Sequence, residues 1–190
     1  MDTPIDYYEH FVENRKEVFE EISNLFTSEE RKEVDGKRLN RMTMVFISNT
    51  ADITVIPKIW GKDVTVSIFP KILEDLRINV IEKTGFDFNI CLANYYSTGK
   101  RSIGFHSDNE EKGSISCIAS ISLGAERAFD FRKKENKEIV KRIVLSDGSL
   151  LVMKDGCQEN FEHQLPVDKN CKEPRLNLTF RLFDSNRYSR

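Results

Sequence analysis

The chain lacks several features that would fix its class at once. No stretch approaches the ~18 consecutive apolar residues of a membrane-spanning helix, so a helical span is excluded and no membrane partner is expected. Cys91, Cys117, Cys157 and Cys171 form no CxxC pair, which removes the common redox and zinc-ribbon patterns. The N-terminal MDTPIDYYEH carries acids where a secretory signal would have a basic segment and an apolar run. An intracellular protein with free thiols is therefore expected, in nucleus or cytoplasm alike. Repeats and low-complexity tracts are absent, against a collagen-like fibre or a coiled-coil rod. Histidine is scarce, with only three residues, and the formal net charge over 190 residues is only −2.

Hydrophobic residues make up 39%, with 13 phenylalanines, enough for one core. The small net charge hides an asymmetry. Residues 1–30 hold nine acids and two bases, whereas residues 31–63, 132–142 and 169–190 are locally basic. A polyanionic partner fits this pattern, but solvated loops and edge strands account for it more simply.

Along the chain, Tyr8, Phe11, Val12, Phe19, Ile22, Leu25 and Phe26 recur at three- and four-residue intervals, which predicts a helix over 6–26 opened by an Asp6–Glu9 capping box. Residues 27–38 read as a loop. MTMVFIS (42–48) and ITVIP (53–57) read as strands. A second helix follows Pro70, buries Ile72, Leu73, Leu76, Val80 and Ile81, and stops at Gly85. Beyond Phe86 there is no helix signal. FNICLANYY, SISCIASISLG, RAFDFR, EIVKRIVL, SLLVMK and RLNLTFRLF are short β-rich runs between turn residues or charged clusters. The expected fold class is α+β, mainly β: a sandwich or jelly roll of roughly eight strands, with two N-terminal helices packed on it. One domain is expected over 1–190, with helices and a flap in 1–85 and the jelly roll in 86–183.

Three residues attract attention as metal ligands. His106 and Asp108 stand two apart in GFHSD, so in extended chain both point to one face. His163 follows in NFEHQLP, and a crossing of the two segments would put two imidazoles and one carboxylate on one side of an ion. That set with open positions opposite is the non-haem Fe(II) arrangement. A lone His-x-Asp is more often a satisfied surface pair. The C-terminal strand adds weight. In RLNLTFRLF, Arg175, Asn177, Thr179 and Arg181 share one face, and Leu176, Leu178, Phe180 and Leu182 the other. Two arginines facing inward need anions, which a dicarboxylate supplies. An outward polar face on an edge strand would explain the same residues. Asn94 and Tyr96 form another i, i+2 pair able to donate to an anion, or else a turn asparagine and a packing tyrosine.

Together, NYYSTGKRSIGFHSDNE, IASISLGAERAFDFRKK, LSDGSLLVMKDGCQENFEHQLP and PRLNLTFR resemble the AlkB family of Fe(II)- and 2-oxoglutarate-dependent dioxygenases, most closely its nucleic-acid dealkylating branch. The likeness covers about half the chain, from Asn94 to Arg181. Arg175, Asn177 and Arg181 fall at Arg-x-Asn-x-x-x-Arg. The resemblance implies a double-stranded β-helix and a dioxygenase that uses Fe(II), 2-oxoglutarate and O2. It implies iron ligation by His106, Asp108 and His163, and Arg175 on the distal carboxylate of 2-oxoglutarate. Arg181 would lie near the C1 carboxylate, and Asn94, Tyr96 and Asn177 would orient the co-substrate. Asp108-Asn109-Glu110 resembles the stretch lining the substrate side. Oxidative demethylation of N-methylated bases in DNA or RNA is implied, with formaldehyde, succinate and CO2 as products, in DNA repair or RNA demethylation.

The chain departs from the family at Tyr95, where arginine is common. Residues 38–63 should form the nucleotide-recognition flap, with Arg38, Arg41, Lys58 and Lys62 as its basic residues. Trp60 is the first candidate for stacking on the base and Phe46 the next; a core role would account for either equally well, and for Phe46 the core is favoured. Alkylated nucleic acid is the expected partner and a monomer the expected state. The competing readings are a related dioxygenase acting on protein or lipid, a catalytically silent nucleic-acid-binding jelly roll, and a zinc site from Cys157, His163 and Cys171, whose spacing matches no zinc pattern.

Overall fold

The computed structural model describes residues 2–26, 33–34, 37–38, 41–48, 65–108 and 113–183. Strand β1 (Ile5–Tyr8) is followed by helix α1 (Arg15–Ser23), a short ladder of β2 (Glu33–Val34) and β3 (Lys37–Arg38), then β4 (Met42–Ile47), β5 (Thr65–Ile68) and helix α2 (Lys71–Thr84). The remainder is β6 (Ile90–Tyr96), β7 (Ile103–His106), β8 (Gly113–Gly124), β9 (Arg127–Lys133), β10 (Ile139–Leu145), β11 (Ser149–Lys154), the single turn α3 (Cys157–Asn160), β12 (Phe161–Leu165) and β13 (Arg175–Phe183).

A seven-stranded sheet runs in the order β1-β11-β8-β13-β6-β4-β5, and a four-stranded sheet in the order β10-β9-β12-β7. Among the described strands only the β4–β5 pairing is parallel. Period-2 alternation gives the large sheet two different faces. Cys117, Ala119, Ile121 and Leu123 of β8, Leu150 and Val152 of β11, and Leu176, Leu178 and Phe180 of β13 pack in one apolar cluster with Val18 and Ile22 of α1 and Leu73, Leu76 and Val80 of α2. Ile118, Leu151 and Met153 face the other way, into a second cluster with Phe129, Phe131 and Phe161 of the small sheet. The sandwich with two helices on one sheet is the fold expected from the sequence.

The N-terminus differs from the expected long helix. Ile5–Tyr8 pair antiparallel with Met153–Leu150 of β11. Ile5 and Tyr7 pack on the inter-sheet cluster and Tyr8 on the helix-side cluster, a period of two rather than 3.6. The Phe11 and Val12 N–H groups both donate to Gly148 O, at 3.0 and 2.9 Å, so the chain turns before α1 begins after Asn14. Asp6 makes an ion pair with Lys154 at 2.8 Å and is no helix cap. The second helix is as expected: Pro70 precedes it, and Gly85 closes it in the left-handed region (φ 77°), where glycine has no Cβ penalty. The 53–57 strand lies outside the described residues. The α3 turn, where no helix was expected, carries a residue that matters below.

Candidate metal centre

His106 ends β7 and His163 sits in the middle of β12. These strands are paired, and the two histidines stand directly opposite one another. Their rings are 4.4 Å apart, edge to face. Asp108 follows β7 by two residues. Its Oδ1 lies 3.6 Å from His106 Nε2 and its Oδ2 3.6 Å from His163 Nε2. One ligand atom from each residue falls within 4.8 Å of the others. Two imidazoles and a carboxylate at this spacing form one face of a metal site.

The surroundings prepare the donors. His106 Nδ1 lies 2.8 Å from Gly104 O. An N–H donated there leaves the Nε2 lone pair facing Asp108, as ligating histidines are commonly held. Phe129 stacks on His163 at 5.2 Å, and Phe131 packs at 6.0 Å. Burial among these rings is the main cause that pushes the His163 pKa down to about 4, against the opposing pull of Asp108. The ring is neutral at neutral pH, as a ligand must be. Burial alone would raise the Asp108 pKa. The Arg181 guanidinium and the two histidines override it and hold the carboxyl at about 2.

The face of β13 predicted to be polar points into the sandwich, and β13 is central, flanked by β8 and β6. The alternative of an exposed edge face is thereby overturned. Arg175 is 2% exposed. It donates from Nη2 to Ser122 Oγ at 2.9 Å and lies over Tyr96 at 5.4 Å, while its buried Nε has no partner. No carboxylate within 4.0 Å pairs with it among the described residues. Burial foremost pushes its pKa down to about 10. A buried guanidinium without a counter-ion fits a carboxylate-bearing ligand. At the other end Arg181 Nη2 lies 3.2 Å from Asp108 Oδ1.

Asn94, Asn177 and Thr43 stand abreast on β6, β13 and β4. Asn94 Oδ1 accepts from Arg41 Nε at 2.9 Å and from Thr43 Oγ1 at 2.8 Å, which turns its amide N–H groups away from those partners. Asn177 donates to Ser120 Oγ and Ile121 O, and accepts from Thr179 Oγ1, so both its amide hydrogens are committed within the sheet. Tyr96 is 3% exposed. Arg41 was expected on the nucleotide-recognition flap, and the structure sets its Nε against Asn94. Tyr95 points to the helix side and stacks on Phe26 at 5.7 Å, away from the metal ligands. Phe46 is buried against Phe69, in the core as expected. Trp60, Glu110, Lys58 and Lys62 lie outside the described residues.

Two further buried polar residues were not legible in the sequence. Gln158 of α3 is 2% exposed, accepts the Asp108 backbone N–H at 2.8 Å, and donates to Met153 Sδ. Arg127 of β9 is 1% exposed. All four cysteines are free, and Cys157 and Cys171 do not join His163 in a metal-ligating group among the described residues, which removes the zinc alternative.

The family model for the 2OG-Fe(II) oxygenase superfamily matches residues 8–181. The chain belongs to that superfamily. The AlkB likeness of its motifs is borne out by curated relatives. It is 40% identical over 119 residues to human alpha-ketoglutarate-dependent dioxygenase alkB homolog 3, covering 58% of this chain and 42% of the relative. It is 40% identical over 138 residues to mouse DNA oxidative demethylase ALKBH2, covering 68% of this chain and 54% of the relative. The chain thus spans about half the length of the curated relatives it matches. Among solved structures it resembles OsALKBH1, with a TM-score of 0.69 at 17% identity over 95% of this chain and 99% of that one. It also resembles a prolyl hydroxylase from Trichoplax adhaerens, with a TM-score of 0.59 at 12% identity over 97% and 86%. These two likenesses show the shared oxygenase fold. Fe(II), 2-oxoglutarate and O2 are the family's reactants, and the donor set and the uncompensated Arg175 fit the metal and the dicarboxylate.

Proposed function

We propose that this protein catalyses Fe(II)- and 2-oxoglutarate-dependent oxidative dealkylation of N-methylated bases in DNA or RNA. The observation that carries the reading is the convergence of His106, Asp108 and His163 in a sandwich whose central strand buries Arg175 with no carboxylate partner among the described residues. When bound, iron with 2-oxoglutarate and O2 supplies the oxidation that hydroxylates an N-methyl group, and the adduct releases formaldehyde beside succinate and CO2.

The chain's own residues do the rest. His106, Asp108 and His163 hold the metal, with Gly104 O and Gln158 fixing the orientation of the first two. Arg175 receives the far carboxylate of 2-oxoglutarate, and Ser122 and Tyr96 fix its guanidinium. Asn94 presents its amide N–H groups to the co-substrate because Arg41 and Thr43 occupy its oxygen. Asn177 keeps β13 and β8 in register beneath it. Arg181 keeps Asp108 ionised. Phe129 and Phe131 exclude water from one side of His163. A base in a duplex must leave the stack to reach such a centre, so flipped or single-stranded substrate is accepted. Trp60, Asp108 and Glu110 would meet the base, and basic residues of 38–63 the phosphates. The names of the curated relatives support the nucleic-acid substrate. We propose an intracellular monomer.

The test is a formaldehyde and succinate assay with Fe(II), 2-oxoglutarate and ascorbate on oligonucleotides bearing 1-methyladenine or 3-methylcytosine, as DNA and as RNA. Methyl-dependent turnover that disappears in His106→Ala supports the reading, and the DNA-to-RNA ratio assigns the substrate. Succinate without demethylation would move the substrate to protein or lipid. No succinate under any condition would leave a binding module.

A further inference from the structure

Arg127 has no role in the site described so far, yet its environment demands one. It opens β9 and shares a face with Phe129 and Phe131, which line the sandwich and pack on His163. The side chain is 1% exposed. Its Nη2 donates to three uncharged acceptors, Gly99 O at 3.3 Å, Arg101 O at 3.1 Å and Pro166 O at 2.6 Å. Its Nε and Nη1 are buried without any hydrogen-bond partner. No carboxylate pairs with it within 4.0 Å among the described residues. An unpaired buried guanidinium is among the costliest groups a core can hold. Arg175 stands opposite Gly124, and the Ala125 N–H donates to Pro174 O at 2.8 Å, so the two guanidiniums spring from adjoining strand ends, and Arg127 helps to lower the Arg175 pKa. Tyr96 acts on both guanidiniums. Burial, the largest cause, lowers the Arg127 pKa as well, with Cys171, Asp168 and Tyr96 pulling the other way.

Two like charges buried together, each with idle N–H groups, favour an anion that joins them. A carboxylate offers two oxygens and about four lone-pair sites, more than one guanidinium fills. Resting on the co-substrate reading above, we propose that Arg127 is the second guanidinium of a two-arginine clamp with Arg175, and that it sets the preference of this pocket for a 2-oxo acid with a second carboxylate. The three carbonyls held by Nη2 fix the loops after β6 and β12, which keeps the idle Nε and Nη1 in place before the ligand arrives.

The test is isothermal titration of the full chain loaded with Mn(II), using 2-oxoglutarate and 2-oxopentanoate, which has the same carbon chain without the far carboxylate. Wild type binds 2-oxoglutarate preferentially. In Arg127→Met, 2-oxoglutarate binding weakens about tenfold to a hundredfold, the range for charge-assisted hydrogen bonds, while 2-oxopentanoate binding is unchanged. Arg127→Lys, which keeps the charge without the fork, loses less. A purely structural role would weaken both ligands by one factor, and that result, or no change in either, overturns the proposal. If Arg127→Met does not fold, the same comparison is read from Arg127→Lys, where selective weakening of 2-oxoglutarate supports the clamp and equal or absent weakening overturns it. A wild type without preference for 2-oxoglutarate would overturn the co-substrate reading together with the clamp. A preference undiminished in Arg127→Met overturns the clamp alone.

Discussion

Arg181 Nη2 stands 3.2 Å from Asp108 Oδ1, so the last strand of the large sheet is charge-paired to the carboxylate of the metal centre. The pair explains how a buried carboxyl is held down at about 2 although burial acts to raise it. Replacing Arg181 by Met removes the strongest of the opposing charges. In metal-free protein the Asp108 titration midpoint then rises from about 2. Carboxyl-carbon NMR of the wild type and Arg181→Met reads this directly, and an unmoved midpoint would refute the electrostatic account.

His163 sets a pH dependence of stability in the metal-free protein. Its pKa is about 4 when folded and 6.5 when free. Between those values the unfolded chain binds the extra proton, so folding is favoured fully above pH 6.5 and progressively less as pH falls towards 4. The loss reaches about 3 kcal/mol at most. Denaturant midpoints across that range should fall with pH in the wild type and flatten in His163→Gln. An equal slope in both proteins would assign the effect elsewhere.

Gln158 Oε1 accepts the Asp108 backbone N–H at 2.8 Å. Gln158→Leu leaves that donor buried and unpaired, at a cost of about 1–3 kcal/mol in stability. Because the same bond orients a metal ligand, Mn(II) affinity should fall by about tenfold. Unfolding and metal titrations on the one variant check both numbers. A loss of stability with unchanged affinity would limit Gln158 to packing.

Gly99 sits where two loops touch. Its N–H donates to Cys171 O at 3.0 Å, and its carbonyl accepts from Asp168 N–H at 2.8 Å. A Cβ at this position would lie 2.0 Å from Asp168 O, so the backbone must move. Gly99→Ala is expected to cost about 3 kcal/mol, lowering Tm on the order of 10 °C. Thermal unfolding tests it, and a shift of less than a degree would mean that the loops separate freely. Since Arg127 holds the same loop, 2-oxoglutarate affinity should fall with it.

Much of the architecture was readable from period. RLNLTFRLF alternates so strictly that its two faces were assignable in advance, and both landed where alternation put them. The same rule failed at the N-terminus. Tyr8, Phe11 and Val12 fit a helical period over a short window, but Ile5, Tyr7 and Tyr8 obey a strand period imposed by β11, a partner far along the chain. The His-x-Asp pair was visible as a local spacing. That His163 would stand directly opposite His106 was not, because it depends on the β7–β12 register.

The sequence by itself determined which residue types were available, which side of each strand they occupied, and that the motifs resembled a known oxygenase family. It could do so because alternation and motif spacing are local properties of the chain. Only the tertiary structure decided that Arg41 would meet Asn94, that Gln158 would hold Asp108, and that Arg127, like Arg175, would be buried with no carboxylate within 4.0 Å among the described residues. Those relations join residues 48 to 53 positions apart, and they follow from strand order and packing, which no local period encodes.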